Sequence, residues 1–155
     1  MMRRVKDIDV HALETFRRGT VIPAQVLALD ECRRFSPVHQ RALCRYYIDA
    51  GVGGIAVGVH STQFAIRDSK YGMFSQVMSE TARFIDQWCE KQGRNVLKVG
   101  GVCGKTKQAV YEASFEADCG YDACLLSLAA FREDDVDTMI RHCRDVADVM
   151  PLIGF

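Results

Sequence analysis

Continuous apolar runs alternate with amphipathic stretches along the whole chain, and this alternation predicts the secondary structure. Apolar runs of strand length occupy residues 20–29, 54–60, 95–102 and 122–128, and a fifth run begins at 150–155. Helical periodicity of apolar residues predicts helices over 9–18, 36–50, 71–92, 105–118 and 132–148. Strand-then-helix units that recur roughly every 30–40 residues are typical of a parallel sheet with crossover helices.

The order of these units is compatible with a doubly wound sheet or a (βα)8 barrel. Most strand-end turns lack the Gly-x-Gly-x-x-Gly phosphate pattern, which favours the barrel. A full barrel needs ~250 residues, so 155 residues correspond to about half of one. We therefore predict an α/β fold of the (βα)8 TIM-barrel family. Residues 1–155 would form the N-terminal half of a single, truncated domain: an N-terminal helix, the first four βα units and the start of strand five.

Composition excludes some functions and favours a compartment. Twenty basic and twenty acidic residues cancel without gathering on one segment, so neither a nucleic-acid nor a membrane-surface partner is expected. No apolar run reaches the ~18 residues that span a bilayer. The seven cysteines show no Cys-x-x-Cys spacing, and with the four histidines they complete no zinc signature. We expect structural thiols, a cytoplasmic location and no metal or cofactor.

The loop after the second predicted strand is the strongest candidate for a binding site. Active sites of such barrels lie on the loops that follow the strands. His60, Ser61, Thr62 and Gln63 stand together at this point, and adjacent hydroxyl and N–H donors suit a carboxylate. The alternative is that Ser61 and Thr62 only satisfy backbone groups of the loop.

Three further features have a catalytic and a structural interpretation. The segment Gly100-Gly-Val-Cys-Gly-Lys-Thr106 is one glycine short of a Walker phosphate loop, because Val99 takes that position, so an ordinary βα turn is favoured. Lys98, inside a strand, could form a Schiff base, but such a lysine more often extends its amine to the rim. His60 could be a general base or a structural hydrogen-bonding residue.

Several segments, taken in order, resemble the dihydrodipicolinate synthase / N-acetylneuraminate lyase family of Schiff-base aldolases. Val21-Ile-Pro-Ala24 is similar to the family's first strand. The segment 49–62, Asp-Ala-Gly-Val-Gly-Gly-Ile-Ala-Val-Gly-Val-His-Ser-Thr, resembles its second strand and Gly-Thr-Thr carboxylate loop. Val99-Gly-Gly-Val102 resembles the end of strand three, 120–127 resembles strand four, and 151–155 resembles the start of strand five.

The resemblance implies a lyase or aldolase that joins or releases a pyruvate-type 2-oxo acid and an aldehyde through a lysine Schiff base. Ser61 and Thr62 would bind the carboxylate, flanked by His60 and Gln63, which replace smaller residues of the family pattern. Phe131 and Phe155 stand at the positions of the family's two relay tyrosines and lack the hydroxyl. The Schiff-base lysine belongs to strand six, a position that this chain does not contain.

Those departures leave a second hypothesis from another class. A non-catalytic half-barrel would act as a homo-oligomeric binding or scaffold protein, with its open sheet edges paired between subunits.

Overall fold

Helices and strands alternate throughout residues 2–154, which are the residues that this computed structural model describes. The strands are β1 (Gly54–Val57), β2 (Leu97–Val102), β3 (Ala123–Leu126) and β4 (Leu152–Ile153). The helices are α1 (Val10–Arg18), α2 (Pro37–Asp49), α3 (Phe74–Gln92), α4 (Thr106–Asp118) and α5 (Val136–Ala147). Each predicted helix is present, and the strand prediction is wrong only for residues 20–29.

The four strands form one parallel sheet in the order β1-β2-β3-β4, which is also their order along the chain. Gly54 of β1 is level with Leu97 of β2, and Cys124 of β3 is level with Leu152 of β4. Each strand therefore lies beside its successor, with a helix between them in sequence. Because a doubly wound sheet reverses this order at a switch point, the topology is that of part of a (βα)8 barrel.

Residues 20–29 run beside β1 but form no regular strand, which corrects the sequence prediction. Ala24 makes a single parallel bridge to Ala56, with Gln25 N–H donating to the Ala56 carbonyl at 2.8 Å. Pro23 has no N–H to donate, so it contributes only its carbonyl, which accepts the Ala56 N–H at 2.9 Å. A proline within an apolar run demotes it to an edge segment, and that is what residues 20–29 form.

The sheet separates two apolar layers. The larger lies between the sheet and helices α2–α5 and includes Ile55, Val57 and Val102. The smaller lies on the opposite face and includes Leu97 and Val99. Side chains alternate between the faces of a strand, so odd-numbered β2 residues point to the inner side of the half-barrel and even-numbered ones to the helices.

Helix α1 and the chain before it cover the inner face at the end where the strands begin. Ile8 is buried and Leu13 packs beside it in the inner layer. Arg3 forms an ion pair with Asp122, whose other carboxylate oxygen accepts the Lys98 backbone N–H at 2.9 Å. Both contacts lie where β2 and β3 begin. The carboxyl ends of the strands, where barrel active sites are built, lie at the other edge of the sheet.

Some helix ends are capped by the residue types typical of those positions. Asp9 caps α1 by accepting the Ala12 N–H at 3.0 Å, and Gly93 ends α3 in the left-handed conformation with φ of 62°. Ser36 occupies the N-cap position of α2, where serine is common, but its side chain makes no cap bond. Its hydroxyl lies 2.8 Å from Nδ1 of His39.

All seven cysteines have free thiols. Cys44 and Cys124 are buried in the helix-side layer, and burial raises the pKa of the Cys44 thiol to about 11. These are the inert, structural thiols that the sequence predicts. Within residues 2–154, no helix combines the length and the apolar character that crossing a membrane requires.

Candidate functional site

The loop after β1 consists of two short 3-10 turns, and it carries the predicted site residues. The first turn is His60–Thr62 and the second is Phe64–Arg67. The Thr62 N–H donates to the Val59 carbonyl at 3.0 Å, and the Gln63 N–H donates to the His60 carbonyl at 3.0 Å. These two amide protons are used within the turn and are not available to a ligand.

Thr62 secures this loop to residues 20–29. The residue is fully buried, and its hydroxyl donates to the Gln25 carbonyl at 2.6 Å. That carbonyl would otherwise be a buried acceptor on an irregular segment, where an unmade hydrogen bond is costly. Thr62 therefore holds the turn in place from behind, as the structural alternative of the sequence analysis describes.

Ser61 and Gln63 line a cavity of about 610 Å³ between the loop and residues 26–33. Arg33 and Tyr71 supply its other polar groups. The remaining wall is apolar and comprises Val26, Leu27, Leu29, Ala65, Ile66 and Met73. An apolar concavity of this volume with a few polar groups has the character of a small-molecule site, for which roughly 300–1,000 Å³ is usual.

Backbone strain in the described residues concentrates at the same cavity. Arg33, with φ of 59°, and Gln63, with φ of 73°, are the two non-glycine residues between 2 and 154 that have positive φ. Such conformations cost of order 1–3 kcal/mol and cluster at functional sites. The Arg33 conformation is held by a tight turn in which its N–H donates to the Asp30 carbonyl at 2.9 Å.

His60 lies beside this cavity without lining it. The side chain is exposed, and its ring meets the Phe64 ring edge-on at a centroid distance of 6.0 Å. Of the four predicted binding residues, the structure thus brings Ser61 and Gln63 to one cavity, places Thr62 behind them and leaves His60 in solvent.

Arg67, which the sequence analysis did not single out, joins the loop to both neighbouring strands. Its guanidinium donates to the Glu112 carboxylate at 2.9 Å, to the Gly58 carbonyl at 3.0 Å and to the Gly101 carbonyl. The Arg67 and Glu112 side chains are only 8% and 4% exposed. A buried arginine that donates to these three acceptors fixes the end of the loop relative to β1, β2 and α4.

Glu112 and Glu116 form an acidic pair on the inward face of α4. Glu112 accepts the Cys103 N–H at 3.1 Å and the Gln108 side-chain amide at 2.8 Å, in addition to Arg67. Glu116 is fully buried, and neither of its carboxylate oxygens has a hydrogen-bond partner among the described residues. Burial raises the pKa of Glu116 well above its ordinary value; Glu112 adds to the rise and Arg67 opposes it. Burial therefore favours the protonated form of Glu116 relative to an exposed glutamate.

The two adjacent glycines of β2, Gly100 and Gly101, leave space for the Glu116 side chain and for the Gly58 backbone. A Cβ on Gly100 would lie 1.9 Å from a Glu116 carboxylate oxygen, and one on Gly101 would lie 2.5 Å from the Gly58 carbonyl oxygen. Two consecutive glycines in a buried strand were the one sequence signal of this close approach.

Lys98 points away from the inner side of the half-barrel. Its amine forms an ion pair with Asp86 of α3 in the helix-side layer, as expected for an even-numbered residue of β2. The structural interpretation of Lys98 is thereby favoured over the Schiff-base one.

Phe131 and the Gly104-Lys-Thr106 turn belong to a separate cluster after β3. Phe131 is buried, with its ring centroid 4.2 Å from that of His142 and the Lys105 amine 4.1 Å from its ring centroid. Lys105 also pairs with Asp134 at 2.6 Å, and the Thr106 hydroxyl lies 3.0 Å from His142 Nδ1. Lys105, Thr106 and His142 Nδ1 have partners within the chain, whereas the buried Nε2 of His142 has none among the described residues. Phe155, the second predicted tyrosine position, lies outside the described residues.

No group of three or more metal-ligating side chains forms within residues 2–154. The cavity lies at the strand-end edge of the sheet, and its lining offers hydroxyl, amide and guanidinium groups.

The comparisons with known proteins identify the same class of fold. No protein-family profile matches the sequence, and no curated protein sequence is significantly similar to it. Among solved structures, a dihydrodipicolinate synthase from Bacillus anthracis is similar at 21% identity and a TM-score of 0.69, over 88% of this chain and 44% of that one. N-acetylneuraminate lyase from Mycoplasma synoviae is similar at 10% identity and a TM-score of 0.68, over 87% of this chain and 45% of that one.

A third solved structure is a prophage protein of the dihydrodipicolinic acid synthase family from E. coli K12, in complex with pyruvate. It is similar at 18% identity and a TM-score of 0.69, over 86% of this chain and 43% of that one. The chain thus spans less than half the length of these proteins, as expected for the N-terminal half of such a barrel. The predicted resemblance and the partial (βα)8 fold are confirmed at the level of structure.

Proposed function

We propose that this chain is the 2-oxo-acid-binding half of a (βα)8 lyase or aldolase. The observation that carries the proposal is the cavity beside the turn after β1, where Ser61 and Gln63 present side-chain donors. The pyruvate complex of the E. coli protein with the same fold supports the choice of ligand. The location we propose is cytoplasmic, in keeping with the free cysteines.

In this scheme, each residue of the turn has a separate role. The Ser61 hydroxyl donates a hydrogen bond to one carboxylate oxygen of the 2-oxo acid, and the Gln63 amide donates to the acid's other polar groups. Thr62 keeps the turn in register through its bond to the Gln25 carbonyl. Preorganised donors bind an anion more strongly because no loop has to be ordered at the moment of binding.

The covalent step would need a lysine from a sixth strand, after residue 155. Its neutral amine would add to the C2 carbonyl carbon of the acid and expel water, which leaves an imine. Loss of a proton from C3 then gives the enamine that adds to an aldehyde carbonyl, and the reverse sequence cleaves that bond. Phe131, at a family tyrosine position, can neither donate nor accept this proton, so another group would have to transfer it.

Borohydride trapping tests this function. The chain, and any longer product of the same locus, is incubated with pyruvate and borohydride, and the intact masses are measured. We expect a reduced pyruvate adduct on the longer product and none on residues 1–155. The absence of an adduct on both products would contradict the proposed Schiff-base mechanism. An adduct on residues 1–155 would place the reactive lysine in this half instead.

The half-buried inner face supports a second candidate function, a homo-oligomeric binding or scaffold protein. Ile22, Leu125 and Ile153 pack on the inner layer but remain only partly covered. A second copy of the chain would cover them and pair the open sheet edges. Sedimentation equilibrium separates the candidates: a stable dimer that binds no 2-oxo acid favours the scaffold, and a monomer at micromolar concentration contradicts it.

A further inference from the structure

The cavity beside Ser61 is far larger than a three-carbon acid requires. Its volume is about 610 Å³, and beyond the polar turn most of its wall is apolar. Val26, Leu27 and Leu29 form one side, and Ala65, Ile66 and Met73 form the other. A carboxylate held at Ser61 would therefore leave the apolar wall unoccupied if the acid were pyruvate.

The exposure of that wall also indicates a ligand. Val26 is 46% exposed, Leu29 is 40% exposed and Tyr71 is 49% exposed, and all three line this one cavity. Single exposed apolar residues are ordinary, whereas a group of them around a concavity rimmed by polar residues marks a binding site.

The polar groups of this cavity lie together, and they include a positive charge that can bind a carboxylate. Ser61 and Gln63 come from the same turn, and Arg33 adds a positive charge from the opposite segment. None of the salt bridges within residues 2–154 involves Arg33, so its charge is available to an anion. The strained backbone at Arg33 and Gln63 places both side chains at this cavity.

We infer that this cavity takes 2-oxo acids with an unbranched apolar chain of several carbons, in preference to pyruvate. The inference rests on the proposed function and specifies its substrate: the acid group at Ser61, Gln63 and Arg33, and the chain along Val26 and Leu29.

The preference has a predictable size. Burial of one methylene group is worth ~0.8 kcal/mol, which corresponds to about a fourfold gain in affinity. Three methylenes, the difference between pyruvate and 2-oxohexanoate, would give about 50-fold if they were fully buried. Because the wall is partly open to solvent, we expect at least a tenfold gain.

The test is a titration of the full chain, followed by amide chemical shifts, with pyruvate, 2-oxobutanoate, 2-oxopentanoate and 2-oxohexanoate. Hexanoate, which lacks the 2-oxo group, is titrated in parallel. The expected result is an affinity that rises with each carbon and is weaker for hexanoate than for 2-oxohexanoate. In Leu29→Ser, the affinity should increase less with each added carbon than it does in wild type. Leu128→Ser is the matched control, because Leu128 is 39% exposed and lies outside this cavity.

The outcomes separate this inference from the proposed function. Equal affinity for all four 2-oxo acids would overturn the inference and leave the proposed function standing. Hexanoate binding as tightly as 2-oxohexanoate would overturn the 2-oxo specificity. Absence of binding by every acid would refute both. The ligand series uses the unmodified chain, so it decides the question even if Leu29→Ser fails to fold.

Discussion

Glu116 makes the stability of this chain depend on pH in an unusual direction, and Glu116→Gln should remove that dependence. The folded chain holds the carboxyl fully buried, without a hydrogen-bond partner among the described residues, and its pKa is raised well above the ordinary value of 4.5. As pH rises through 4.5, the unfolded chain releases this proton before the folded chain does. The unfolded state is therefore favoured increasingly as pH rises.

The magnitude follows from one proton. A difference of one bound proton changes the free energy of unfolding by about 1.4 kcal/mol per pH unit. Between pH 5 and pH 7 the loss through Glu116 can reach at most about 2.5 kcal/mol, the limit for a folded carboxyl that keeps its proton throughout, since part of the unfolded chain is already ionised at pH 5. The glutamine side chain introduced by Glu116→Gln cannot ionise, and it occupies almost the same volume beside Gly100.

Urea denaturation at pH 5, 6 and 7, at one fixed protein concentration, measures this effect. The quantity to compare is the difference in unfolding free energy between Glu116→Gln and wild type, because other titrating groups cancel in it. We expect that difference to shift in favour of the variant as pH rises, by up to about 2.5 kcal/mol across the range. Glu133→Gln, at an exposed position, is the matched control and should show almost no shift. A constant difference between Glu116→Gln and wild type would refute a raised Glu116 pKa in the folded chain.

Three further substitutions test the support of the loop. Arg67→Met should destabilise the chain by about 3–5 kcal/mol in urea denaturation, because it leaves the buried Glu112 carboxylate unpaired; an effect below about 1 kcal/mol would contradict that role. Thr62→Val should cost about 1–3 kcal/mol, since the Gln25 carbonyl loses its donor, and should weaken 2-oxo acid binding in an NMR titration; unchanged binding would show that the turn does not depend on this bond. Gly101→Ala should lower the thermal midpoint, because its Cβ would lie 2.5 Å from a backbone oxygen; an unchanged midpoint would contradict the close approach.

The helices and three of the buried strands were predictable because their signals are local. Periodic apolar residues, Asp9 before α1 and Gly93 after α3 each act within a few residues of the element that they define. Residues 20–29 were wrongly predicted to be a strand, because an apolar run resembles a strand even where Pro23 interrupts the hydrogen-bond ladder.

The candidate site was predictable only in part. A loop at a strand end draws attention to Ser61 and Gln63 from the sequence alone, because barrel topology determines where such loops lie. The Arg67–Glu112 pair joins residues 45 positions apart, and no local pattern marks two such side chains as buried partners. The direction of the Thr62 hydroxyl depends on where the irregular segment passes, which the sequence pattern does not determine.

The proposed function depends on binding of a 2-oxo acid by the turn after β1. The most direct measurement is a two-dimensional amide correlation spectrum of the chain, titrated with pyruvate, for wild type, Ser61→Ala and the exposed control Ser79→Ala. We expect saturable shifts centred on residues 60–65 and on Arg33, which are lost in Ser61→Ala and retained in Ser79→Ala. Absence of shifts in wild type, or shifts centred elsewhere in the chain, would contradict it.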